Sequence, residues 1–272
     1  MNKTPQKQNK KLKNFYNNVY KKGEEKHYTS FITSGTPSAE SSEVLKILSW
    51  KNKSVLDVGC GTGLFSYKAA QKGAKVVGID YSNEAITVTK KTHKHRNLSY
   101  YNSDITHFPI QKFDVVVSLG TLEHMDNPLQ ILKILKKFLK TNGKIIITSP
   151  NWTNPRGYML MCIYHLFDAP ITLADLHYLT PKNFEEWATK LNMTLKWSTF
   201  DKSWAHGQVL IDDFKNRIPN ILSDMKIKSK KKNISNLIKW IDKHVITFDN
   251  SLPHSGATGM YILTNKKENV SK

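Results

Sequence analysis

The chain has 272 residues, of which 39% are hydrophobic, so a sizeable core can form beside a very polar surface in one large domain or a domain with an insertion. Lys and Arg number 41 against 22 Asp and Glu, a formal charge of +19, yet Arg96, Arg156 and Arg217 are the only arginines. A lysine-dominated excess argues for a solvated basic surface over a dedicated polyanion reader, which would favour arginine's planar fork. Two cysteines, Cys60 and Cys162, exclude a disulfide scaffold and show no metal-ligand spacing.

The first 37 residues form a basic N-terminal segment, with helical spacing from Phe15 onward that predicts a cap helix. "SSEVLKILSW" reads as an amphipathic helix. From Lys53 strands and helices alternate: "KSVLDVG" a strand, "LFSYKAAQKG" a helix stopped at Gly73, "AKVVGID" a strand, "NEAITVTKKTHKH" a helix. "NLSYYNSD" is a short strand ending at Asp104, and "KFDVVVSLG" a buried one. "NPLQILKILKKFLKTNG" is a helix opened by Pro128 and stopped at Asn142-Gly143, before the buried strand "KIIITSP".

Beyond Pro150 the rhythm breaks. Residues 151–180 read as an insertion rich in aromatic and methionine side chains, and "PKNFEEWATKLN" and "TLKWSTF" then resume as helix and strand. Residues 201–232 read as an irregular, variable basic segment. "NISNLIKWIDKHVITF" is a helix and "ATGMYILTNK" a closing strand. The alternation predicts an α/β fold with a doubly wound, mostly parallel sheet, and places ligands at the carboxyl ends of the strands. No signal core opens the chain, and its longest apolar stretch, Tyr158 to Phe167, is too short to cross a bilayer. A cytoplasmic protein is the expectation.

The stretch after the first strand, "DVGCGTG", carries Gly59, Gly61 and Gly63 at alternate positions. Such a loop brings backbone close to something and opens a helix N-terminus to it. A dinucleotide dehydrogenase would space its glycines G-x-G-x-x-G; here the third comes one residue early. Asp57 precedes the loop, Asp80 ends the next strand, Asp104 follows the third, and "SLGTLEHM" follows the fourth.

These elements, taken in order, resemble a class I S-adenosylmethionine-dependent methyltransferase, in particular the ubiquinone-biosynthesis-like group of methyltransferase domains. The resemblance covers residues 40–150 well and returns weakly in "LHYLTPKNFEEWATKLNM". It implies a seven-stranded, Rossmann-like methyltransferase fold over residues 38–272, with the N-terminal helical segment and 151–180 as a lid-like insertion before the late strands. It implies S-adenosyl-L-methionine as cofactor. By position, Asp57, Gly59, Cys60, Gly61 and Gly63 would surround its methionine part, and Asp80 would hold the ribose. Tyr81, Asp104 and Ile105 would flank the adenine, with Ser118 and Leu119 below.

Transfer from a sulfonium is an in-line displacement in which alignment supplies much of the catalysis, and a base is needed only where the acceptor must lose a proton. His124 and His177 are the candidate bases for a small-molecule acceptor, with oxygen the expected atom. RNA or another polyanion as acceptor is the alternative that the lysine clusters raise, and a non-catalytic cofactor-binding module is the other. No metal is expected: some relatives hold a divalent ion with Glu-x-x-Glu-His, of which Glu123 and His124 are present while Gly120 stands at the first position. Tyr16, Tyr20 and Tyr28 are candidates to close the far side of the site.

Overall fold

The computed structural model describes residues 39–169, 171–172, 175–202, 207–228, 231–244 and 253–266. The N-terminal segment with its expected helix, and Tyr16, Tyr20 and Tyr28, lie outside the described residues. The chain divides into two compact units. Among the described residues, the first holds 39–149, 182–196 and 261–266; the second holds the described parts of 150–181 and 197–260.

The elements, in order, are α1 (Ala39–Val44), β1 (Ser54–Val58), α2 (Leu64–Gln71), β2 (Lys75–Asp80), α3 (Asn83–Thr92), β3 (Leu98–Asn102), β4 (Phe113–Leu119), a 3₁₀ turn (Leu122–His124) and α4 (Pro128–Lys137). There follow β5 (Leu139–Pro150), α5 (Pro155–Phe167), α6 (Pro181–Lys190), β6 (Met193–Phe200), α7 (Gly207–Asp224), α8 (Lys231–His244) and β7 (Thr258–Asn265). One seven-stranded sheet runs β3-β2-β1-β4-β5-β7-β6, and the pairs β1–β2, β2–β3, β1–β4 and β4–β5 are all parallel. The order reverses beside β1, so the β1–β4 edge is the switch point at which such sheets bind ligands.

β1, β4 and β5 are the continuous apolar runs that burial on both faces requires: Val55, Leu56, Val115, Val116, Val117, Ile145, Ile146 and Ile147 are at most 1% exposed. Phe184 of α6 stacks on Tyr261 of β7 with ring centroids 3.6 Å apart. Among the described residues no helix is long and apolar enough to cross a membrane.

Three local expectations need correction. α1 stops at Val44 and does not continue to Trp50. Its last turn tightens to Lys46 N–H on Glu43 O and Ile47 N–H on Val44 O, and the Trp50 indole takes the Leu45 carbonyl at 3.0 Å, an acceptor that a further helical turn would need. α4 ends at Lys137, not at Asn142-Gly143, because Phe113 N–H captures the Phe138 carbonyl at 2.8 Å and starts β5 beside β4.

The third concerns 201–232, which holds an 18-residue helix, α7. Its buried face, Leu210, Ile211, Phe214, Ile218 and Ile221, follows helical spacing straight past Pro219. With α5, α8 and Trp152 it builds the core of the second unit. Trp152 meets Tyr178 edge-on at 5.1 Å, and Tyr178 meets Tyr164 at 4.6 Å, so most aromatic side chains of 151–180 pack within their own unit. Arg217 pairs with the nearly buried Asp213 at 2.8 Å and donates to the Ile171 carbonyl at 2.9 Å.

Candidate active site

A cavity of about 640 Å³ opens at the carboxyl ends of β1, β2, β3 and β4. Its floor is the loop after β1. Gly59, Gly61 and Gly63 all have left-handed backbone, with φ of 72°, 50° and 73°. A side chain on Gly59 would run into Thr121, and one on Gly63 into the Tyr100 hydroxyl and Thr89. The glycines therefore let the loop press against its protein neighbours as well as admit a ligand. Cys60 N–H and Gly59 N–H both reach the Ile79 carbonyl, and Tyr100 donates to Gly63 O, which ties the loop to β2 and β3.

Asp57, the last residue but one of β1, is 2% exposed and lines the cavity. Its carboxylate accepts the Ser66 hydroxyl at 2.6 Å. Burial pushes its pKa up to about 7, against the Ser66 hydrogen bond that lowers it, and the nearby Asp80 raises it further. Asp80 ends β2, and each of its oxygens accepts a backbone N–H, Gly61 at 2.9 Å and Ser82 at 2.8 Å. Burial still raises its pKa, the two hydrogen bonds opposing. Asp80 thus anchors the glycine loop, a role its position in the sequence did not reveal. A carboxylate offers about four lone-pair sites, so two remain for a ligand.

Asp104 closes a turn: Oδ1 accepts both the amide and the hydroxyl of Thr106, at 2.8 and 2.7 Å. Oδ2 is left for other partners. Tyr81 and Ile105 line the cavity beside it, and burial raises the Tyr81 phenol. Cys60 also lines it, with its thiol pushed up by burial and by Asp57 and Asp80.

Leu119, at the end of β4, lines the cavity, whereas Ser118 is fully buried one residue earlier, on the opposite side of the strand. Gly63 supports the loop without lining the cavity. His124 lines the cavity from the 3₁₀ turn. His177 belongs to the second unit. The cavity also takes in Glu40 of α1 and Gly120, neither of which was assigned a role from the sequence.

Two buried carboxylates whose pKa values lie above the ordinary range face one hollow in which, among the described residues, no Lys or Arg takes part; they suit a ligand that brings an ammonium group and hydroxyl donors. The glycine spacing is not that of a dehydrogenase.

The model of the family described as "Methyltransferase domain" matches residues 49–239. The ubiquinone biosynthesis O-methyltransferase of Actinobacillus pleuropneumoniae is 38% identical over 120 residues, 41% of this chain and 51% of that protein. The protein of that name from Pseudomonas fluorescens SBW25 is 28% identical over 153 residues, 53% of this chain and 66% of its own. The chain thus spans about half to two thirds of the length of these relatives. An S-adenosylmethionine-dependent methyltransferase from Thermotoga maritima shares the fold with a TM-score of 0.58 at 14% identity, covering 93% of this chain and 99% of that one. One from Archaeoglobus fulgidus scores 0.56 at 19% identity, covering 87% and 99%.

The fold is the class I, Rossmann-like one. The chain belongs to the methyltransferase-domain family, the S-adenosylmethionine-dependent methyltransferases.

Proposed function

We propose that this protein transfers a methyl group from S-adenosylmethionine to a hydroxyl oxygen of a small molecule. The observation that carries the reading is the convergence of Asp57, Asp80 and Asp104, from the ends of three successive strands, on one cavity floored by the glycine loop. The printed name of the curated relatives, an O-methyltransferase, supports oxygen as the acceptor atom.

When bound, the cofactor supplies a sulfonium methyl that is already activated, so the chain's own task is alignment, a contribution of roughly 7–11 kcal/mol in favourable cases. Asp57 accepts from the ammonium of the methionine part, and the backbone of Gly59, Cys60 and Gly61 leaves room for its chain. Gly63 holds that loop in place. Asp80 accepts the two ribose hydroxyls with the lone pairs its backbone ties leave open. The free oxygen of Asp104 accepts the adenine amine, with Tyr81 and Ile105 against the ring. Leu119, backed by Ser118, closes the floor. His124 is the imidazole at the acceptor end able to hold a hydroxyl proton.

The test is methyl transfer from labelled S-adenosylmethionine to hydroxyl acceptors. Label recovered as an O-methyl ether supports the reading. Label recovered only on nitrogen, or only on added RNA, would replace the acceptor. Failure to bind S-adenosylhomocysteine would remove the activity itself.

A further inference from the structure

The cavity has two ends. Asp57, Asp80 and Asp104 belong to the β1–β3 side of the sheet, whereas Glu40, Gly120 and His124 gather where β4 ends. The cofactor reading above fills the first end, so the second is left for the acceptor. Gly120 has φ of 53°, and no side chain leaves it. The carboxylate of Glu40 stands 3.4 Å from the position a Cβ at Gly120 would take, with a Glu123 oxygen 3.9 Å from that same point. A glycine at this strand end therefore leaves a gap, and Glu40 reaches into it from α1.

The Glu40 carboxylate is held in a directed way. The Thr148 hydroxyl, at the end of β5, accepts the Gly120 amide at 3.1 Å. Its own proton is then free to turn toward Glu40, whose pKa the nearby hydroxyl lowers. Among the described residues no cationic side chain is recorded within ion-pair distance of Glu40. One hydroxyl donor leaves most of the carboxylate's lone pairs to the cavity. Burial raises its pKa, with the Thr148 hydrogen bond opposing, and neither Asp57 nor Asp80 contributes to that shift, in keeping with its place at the far end. Among the described residues, Glu123, His124 and Asp126 also face this end.

We propose that Glu40 is the proton acceptor of the reaction, receiving the acceptor's hydroxyl proton as its oxygen attacks the methyl group. The assignment rests on the O-methyl transfer proposed above. In the step, the acceptor's O–H bond breaks and its proton passes to the Glu40 carboxylate. An oxygen lone pair forms the new O–CH3 bond, and the CH3–S bond breaks with its electrons left on sulfur. The products are the methyl ether and neutral S-adenosylhomocysteine, and the Glu40 carboxylic acid returns its proton to solvent. Thr148 and Gly120 are positioning residues, one orienting the carboxylate and the other vacating the space it uses.

The experiment compares wild type, Glu40→Gln and His124→Gln, with catechol as the hydroxyl acceptor and S-adenosylhomocysteine as the binding probe. Glu40→Gln is isosteric and keeps the Thr148 contact. The expected result is S-adenosylhomocysteine affinity within about threefold of wild type, with kcat/KM for catechol lower by on the order of 100-fold or more. The acid limb of the wild-type pH profile is expected to vanish in Glu40→Gln and to persist in His124→Gln, whatever the latter's rate. A Glu40→Gln enzyme within about threefold of wild type with its acid limb intact overturns the proposal, as does a limb lost only in His124→Gln. So does a rate abolished by a chelator and restored by magnesium, or S-adenosylhomocysteine affinity lost along with activity in Glu40→Gln. Intact cofactor binding with no transfer to catechol by wild type also overturns it while leaving the methyltransferase class standing. Absence of cofactor binding by wild type is the separate result that defeats the parent reading.

Discussion

Asp57 makes cofactor binding pH-dependent. Its carboxyl sits at 2% exposure with its pKa pushed up to about 7 by burial, so near neutrality much of it is protonated in the ligand-free protein. A protonated Asp57 cannot balance an ammonium group, and binding must draw off the proton. With a pKa of about 7, roughly one molecule in eleven is ionised near pH 6 and about ten in eleven near pH 8, so affinity for S-adenosylhomocysteine rises about tenfold over that interval, ~1.4 kcal/mol. The sign for stability is opposite. Asp57's folded-state pKa lies above its unfolded value of about 3.9, so its contribution to the ligand-free fold is fully present below that value and is lost as pH rises through about 7. The assay is titration calorimetry near pH 6, 7 and 8, repeated in two buffers of different ionisation enthalpy to count the proton released. Asp57→Asn should bind more weakly and with a flat pH response. Wild-type affinity that stays constant across the interval, or an unchanged slope in Asp57→Asn, would refute the reasoning.

Other outcomes follow from particular contacts. Gly63→Ala places a methyl group against the Tyr100 hydroxyl and Thr89 at a left-handed φ of 73°, and should cost about 2–4 kcal/mol of stability in denaturant unfolding. Burial is the largest single influence on Asp114 and raises its pKa, but the amide and hydroxyl of Ser54 at 2.8 and 2.7 Å and the Lys140 ammonium at 3.0 Å, all donating to its carboxylate, together outweigh it and hold the pKa at about 2. Asp114→Asn should therefore cost about 1 kcal/mol at neutral pH after solvent screening, and the difference from wild type should close as pH falls from about 4 through about 2. Phe214→Ala empties a fully buried site in the second unit and should destabilise it by about 3–5 kcal/mol, read as a loss of protection from hydrogen exchange in α5, α7 and α8.

The strands that position the site were legible because a buried parallel strand writes itself as an unbroken apolar run, as "SVLDV" and "FDVVVSL" do. The acidic residues at their ends were legible for the same reason: once the strands are placed, strand ends are known. Less was visible wherever a tertiary contact overrode local pattern. The Phe138 carbonyl is claimed by β4, which ends α4 at Lys137, six residues before the Gly143 that reads as its stop. Residues 201–232 read as irregular, yet the apolar spacing from Leu210 to Ile221 is helical and continues through Pro219, and that spacing was the better signal. Asp104 reads equally as a turn former and as a ligand group, and the geometry uses one oxygen for the turn and leaves the other. Glu40 carries no motif at all. Its place depends on the space left by Gly120, 80 residues further along, a pairing that only the fold brings together.

The account turns on whether the hollow above Gly59–Gly63 takes the adenosyl cofactor with its ribose on Asp80, and calorimetric titration of S-adenosylhomocysteine into wild type and Asp80→Ala measures this directly. The prediction is one-to-one binding by wild type and a loss of about 30- to 1,000-fold in the variant, the worth of one to two charge-assisted hydrogen bonds. Wild-type protein that binds a nicotinamide dinucleotide in place of S-adenosylhomocysteine, or a variant that binds as well as wild type, would contradict it.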